Sequence, residues 1–236
     1  MPTWLFELTG EESDLRTIAE LFSDTYSIST RDGKCHLSMQ LALLPEEGAD
    51  AQAAVEPVLA HLNASAQVAH GNHENVRLGG MVCLDPGGGP PTQIISATGL
   101  RSQFRAGGGK LIAERLLAAA RRDAHFDRAL YLFGILPQNW RGLSMVLDAA
   151  KDGNKDLKFK GWITPSLIEN FEKTANSFKA LGHQARHGGV SKGVNRPRQT
   201  LEEARGMIRT ILEQWAKELG SQPHVAGRPE GEDFRN

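Results

Sequence analysis

Trp4, Phe6 and Leu8 alternate with Leu5, Glu7 and Thr9. A period of two predicts a strand with one buried face, and Thr9-Gly10 ends it. The spacing then widens to three and four at Leu15, Ile18, Ala19 and Phe22, which predicts a helix from Ser13. Residues 26–30 and 35–39 return to strand character across Arg31-Asp32-Gly33-Lys34, where Asp-Gly supplies the positive φ of a tight hairpin turn. Val55, Val58, Leu59 and Leu62 predict a second helix from about Asp50, and Gln67-Val68-Ala69 reads as a strand after it. Strand, helix, strand, strand, helix, strand is the split βαβ arrangement of ferredoxin-like domains. Residues 76–84 and 92–98 predict a further hairpin that extends the sheet, joined by the glycine- and proline-rich residues 85–91.

Beyond Gly109 the pattern is helical throughout. Leu111, Ile112, Leu116 and Leu117 mark one helix; residues 126–136 form an almost wholly apolar second one; Asn139 caps a third that carries Trp140, Leu143, Leu147 and Ala150. Thr164-Pro165 predicts an N-cap followed by proline at the first helical position, with Leu167, Ile168, Phe171, Ala175 and Phe178 on one face as far as Gly182. Thr200-Leu201-Glu202-Glu203 is a capping box, followed by Ala204, Ile208, Ile211, Leu212, Trp215 and Leu219 at helical spacing. These last two helices are expected to share a core. The fold class is therefore α+β: a ferredoxin-like module over residues 1–104, a glycine-rich linker at 105–110, an all-α helical bundle at 111–220, and a tail at 221–236 too poor in apolar residues to fold.

Charge divides the chain the same way. Residues 1–100 hold 13 Asp and Glu against 4 Lys and Arg, leaving 15 against 23 for residues 101–236. Either the basic half meets nucleic acid or nucleotide phosphates, or the two halves attract one another. Two cysteines, Cys35 and Cys83, are too few for a disulfide framework. With no signal-like N-terminus and no apolar run long enough to span a bilayer, the expectation is a cytoplasmic protein without membrane contact.

Several motifs fail on inspection. Residues 106–111 suggest a phosphate loop, but Phe104 stands in place of its first glycine and Leu111 in place of the magnesium-binding Ser or Thr. His183 and His187 have zincin spacing, but Gln184 replaces the glutamate that would act as base. No nucleophile elbow and no acid/base pair stand out, and neither a cofactor nor a metal is implied.

What remains is a basic segment. No Asp or Glu occurs between Lys173 and Leu201, whereas His183, Arg186, His187, Lys192, Arg196 and Arg198 do. A guanidinium beside an imidazole, Arg186 and His187, can grip a phosphodiester and move a proton near neutral pH, and Asn176 can add a neutral hydrogen bond. The catalytic candidates are thus Arg186, His187 and Asn176, with Lys192, Arg196, Arg198 and His183 as nucleic-acid contacts. A structural role is the alternative: arginines satisfy orphan carbonyls at helix ends, and asparagines pin loops.

The segments 140–150, 171–176, 182–188 and 201–205, taken together over roughly residues 129–219, resemble the HEPN-like helical domains of bacterial antiviral and toxin-type proteins. The resemblance implies an RNA-contacting protein of antiviral or stress response, with metal-independent ribonuclease activity as the enzymatic expectation. Enzymes of that family place a histidine after the arginine with four to six residues between them, where this chain has Ser191, Lys192 and Gly193. A non-catalytic member that binds RNA, a protein partner or a second copy of itself is the alternative, as is a scaffold whose two domains dock without chemistry.

Overall fold

The computed structural model describes residues 2–22, 25–31, 33–43, 48–71, 74–84, 109–136, 138–186 and 194–221. The expected strand at 92–98, the linker residues 105–108 and the tail beyond 221 lie outside them. The chain is α+β: an antiparallel sheet with helices, followed by helices alone.

The first strand, β1 (Thr3–Thr9), buries Trp4, Phe6 and Leu8, as its alternation predicts. Helix α1 (Glu12–Phe22) follows, then β2 (Ser27–Arg31) and β3 (Lys34–Gln40), a hairpin in which Arg31 faces Lys34 and Gly33 has φ 74°. Helix α2 (Gly48–His70) leads to β4 (Arg77–Leu84). The sheet order is β2-β3-β1-β4, and every pairing is antiparallel.

One strand expected from the sequence is not a strand. Gln67, Val68 and Ala69 belong to the last turns of α2, and β4 (Arg77–Leu84) is the fourth strand instead. The reason is burial on both sides. Leu59, Leu62 and Ala66 of α2 pack into the core of the sheet, while Ala64 and Val68 pack into the helical core. With residues 62–68 all buried, no polar face remains to mark the helical period.

Helices α3 (Gly109–Ala120), α4 (Ala124–Ile135) and α5 (Trp140–Gly153) follow in close order. Asp123 caps α4 by accepting from the N–H of Phe126 at 2.7 Å, and Asn139 caps α5 by accepting from Gly142 at 2.9 Å. Helix α3 also contributes to both cores, Ala113 and Leu117 to one and Leu116 and Ala119 to the other. A 3-10 turn at Leu157–Phe159 precedes α6 (Pro165–Ala175).

The long helix expected from Thr164 to Gly182 is broken. It ends at Ala175, and α7 (Phe178–Leu181) starts afresh, because the Ser177 side chain accepts from Ala180 N–H at 3.2 Å and so caps a new turn. Thr164 does occupy the N-cap position of α6, but its hydroxyl makes no capping bond. Helix α8 (Leu201–Ser221) opens with the expected capping box. Thr200 N–H donates to the Glu203 carboxylate at 2.6 Å, and Glu203 N–H donates to Thr200 Oγ1 at 3.2 Å. The helical core closes on edge-to-face Phe126 and Trp215, with centroids 5.0 Å apart, and on Trp140 against Phe171. Helices α6 and α8 both feed this core.

Candidate functional site

The basic segment runs from the end of α6 to the start of α8 and is tied down at three places. Ser177 Oγ donates to the carbonyl of Val194 at 2.7 Å, Arg198 N–H donates to buried Thr174 Oγ1 at 2.9 Å, and Arg186 N–H donates to the carbonyl of Ala175 at 2.7 Å. The last of these satisfies one of the carbonyls that α6 leaves without a helical partner. The segment is therefore held by main chain and hydroxyls, which leaves the side chains of His183, Arg186, Arg196 and Arg198 at the surface.

Those side chains do not converge. Arg186 makes a two-pronged ion pair with Asp148 of α5, Nη1 to Oδ1 at 3.2 Å and Nη2 to Oδ2 at 2.6 Å. Asn176 is the C-cap of α6 and lines a shallow cleft with Arg186, Asp148 and Glu172. The structure thus brings Asn176 and Arg186 together. His183 turns elsewhere and packs edge-to-face on Phe178, with ring centroids 5.5 Å apart. Arg196 and Arg198 are exposed, and neither makes an ion pair among the described residues. His187 and Lys192 lie outside the described residues.

A guanidinium already held by both oxygens of a carboxylate is poorly placed to receive a phosphodiester, because Asp148 must first be displaced. The chemistry available at the described part of the segment is ionic attraction and hydrogen bonding. Elsewhere, burial pushes the Cys35 thiol above its ordinary range, which keeps it protonated and unreactive. Neither Cys35 nor Cys83 forms a disulfide. Among the described residues, no three of His, Cys, Asp and Glu come together as metal ligands. Also among the described residues, no helix is long and apolar enough to cross a membrane.

Sequence reasoning passed over a concavity among the described residues, which lies between α2, the entry to β4, the end of α4 and the start of α8. Arg205 and Arg209 line it with Gln67 and Asn75. Arg209 bonds Glu202 at 2.7 Å, and this contact first, with the nearby charges of Arg209 and Arg205, holds the Glu202 carboxyl below its ordinary range. The i, i+3, i+7 spacing of Glu202, Arg205 and Arg209 is legible in the sequence, but it reads as an ordinary solvated helix face. Nothing local connects it to Gln67, which is more than a hundred residues away. No protein-family model matches the chain, and comparison with characterised proteins and with solved structures gives no significant match.

Proposed function

We propose that this protein is a cytoplasmic, RNA-contacting member of the HEPN-like group, and that it binds RNA rather than cleaving it. The observation that carries this reading is the exposure of Arg196 and Arg198, without ion-pair partners among the described residues, on a loop fastened at both ends by Ser177 and Thr174. Cations held on a fixed loop and not neutralised by carboxylates suit phosphate contact. Binding is preferred to cleavage because the Arg186 guanidinium is already paired with Asp148. The order βαββαβ and the antiparallel sequence β2-β3-β1-β4 support reading the N-terminal half as ferredoxin-like. A role in antiviral or stress response follows only from the resemblance of the helical half.

The test is anisotropy of a labelled single-stranded RNA in EDTA across a range of salt, with the parent and an Arg196→Ala/Arg198→Ala variant. Each phosphate contact on a single strand contributes about −0.7 to the slope of log K against log[salt], so the double variant is expected to flatten the slope by about 1.4. Equal slopes for the two proteins, or binding indifferent to salt, would remove the proposal. Metal-independent cleavage that disappears in Arg186→Ala would replace binding with ribonuclease chemistry.

A further inference from the structure

The groove between the two cores has a volume of about 1020 Å³. It sits where the second half of α2 faces the first turns of α8, a junction of the kind at which small-molecule sites tend to form. Two features give it a definite chemistry.

The first is an acceptor without a donor. Gln67 is 5% exposed, and its Nε2 donates to Asn75 Oδ1, while Asn75 Nδ2 donates to the carbonyl of Gly134 at 2.6 Å. This chain fixes the orientation of the amide, because a flipped Gln67 would set its oxygen against that of Asn75. The atom left over, Gln67 Oε1, is buried and has no hydrogen-bond partner. A buried acceptor in this state is costly, and the cost disappears when an N–H reaches it.

The second is a pair of guanidinium groups held in place. Arg205 donates to the carbonyl of Gln138 from Nε at 3.0 Å and from Nη2 at 2.8 Å. Arg209 meets one oxygen of Glu202 through Nη2, unlike the two-pronged pair that holds Arg186, and it occupies the space beside Gly71, where a Cβ would lie 2.5 Å from its Nη1; Arg205 also reaches Glu202, Nη1 to Oε2 at 3.5 Å. Gly71 also has φ +82°, so glycine serves both the turn after α2 and the seat of Arg209. Gln67 lies in the last turn of α2 and Gly71 just beyond it, so the acceptor and the guanidinium belong to the same stretch of the groove wall.

We propose that this groove binds a small molecule carrying an oxyanion against Arg205 and Arg209 and an N–H donor against Gln67 Oε1. Two sources supply that chemistry: nucleotides whose base bears an exocyclic amine, and free amino acids. The site is separate from the loop that carries Arg196 and Arg198.

Thermal unfolding of the full chain with AMP, ribose 5-phosphate, inorganic phosphate and each free amino acid at millimolar concentration separates the sources. Calorimetry on any probe that raises the midpoint then gives its affinity. The expected result is saturable binding of AMP over ribose 5-phosphate and phosphate, or of an amino acid. Arg209→Gln and Gln67→Met should each weaken it at least about tenfold, as the loss of a charge-assisted or buried hydrogen bond does. Arg196→Ala/Arg198→Ala should leave it unchanged, so that failure here and failure of RNA binding are told apart. Gln67→Met keeps size and surface charge, and covers the case in which Arg209→Gln lowers stability. No shift with any probe, or unaltered affinity in Gln67→Met, overturns the proposal.

Discussion

Helices α2 and α8 are the longest in the molecule among the described residues, 23 and 21 residues, yet they are built on opposite principles. Helix α8 lies at the surface and buries one stripe, Ala204, Ile208, Ile211, Leu212 and Trp215, with charge on the other faces. Helix α2 is wedged between two cores and buries all of residues 62–68, among them the polar Asn63, Ser65 and Gln67. The first helix is stabilised by its own pattern and cap. The second is stabilised by what surrounds it, so its sequence is chosen for fit: small residues where another backbone approaches, and carboxamides where backbone groups need partners.

The sharpest way to break the contrast is at the closest approach. At Gly134 of α4 an added Cβ would lie 1.9 Å from the carbonyl oxygen of Ala60 on α2. Both neighbours are backbone, so neither can swing aside, and Gly134→Ala must separate the two helices. The expected cost is above about 3 kcal/mol, at the upper end for overpacking. Urea unfolding with a loss below about 1 kcal/mol would show that α2 and α4 slide freely, and the picture of a wedged helix would fail.

Next in size is Asn63. Its Nδ2 donates to the carbonyl of Val76 at 2.8 Å and its Oδ1 accepts the N–H of Val76 at 2.9 Å, so the side chain pairs with the backbone just ahead of β4 as a neighbouring strand would. Asn63→Ala leaves two buried main-chain groups unpaired, at an expected cost of about 3 kcal/mol. A variant as stable as the parent would mean that water replaces the carboxamide. On α8, Thr200→Ala removes one half of the capping box and is expected to cost about 1 kcal/mol, the usual value for such a cap. The ratio of these two losses measures how differently the helices are held.

The same contrast explains what the sequence revealed. Everything in α8, from the box at Thr200 to the stripe ending near Leu219, is local and could be read from residue spacing. So could β1, the hairpin at Gly33 and the cap at Asn139. The C-terminal half of α2 could not, because its burial depends on helices that lie far along the chain. Ser177 hid its break in the same manner, since Phe178 falls in register with α6 whether or not the helix continues. At the basic segment the charges were plain, but the pairing of Arg186 with Asp148 joins residues 38 apart. The groove was hidden for both reasons at once: Gln67 was masked by a misread helix, and Arg209 by an unremarkable polar face.

The smallest expected effect is the most discriminating. Ser65 is fully buried on α2, and its hydroxyl has no hydrogen-bond partner. Removing it in Ser65→Ala deletes an unsatisfied polar atom, leaves a cavity smaller than a methyl group, and replaces serine with a better helix former. The expected outcome is no loss, or a gain of up to about 1 kcal/mol, which corresponds to roughly 2–4 °C in melting temperature for a chain of this size. A gain would show that α2 tolerates polar atoms that do no structural work, which leaves Gln67 Oε1 explicable by the same tolerance and makes the ligand test on the groove decisive. A loss above about 1 kcal/mol would mean instead that the hydroxyl has found a buried water. Polar burial in α2 would then be satisfied at Ser65, as it is at Asn63, and Gln67 Oε1 would stand out as the acceptor still awaiting its donor.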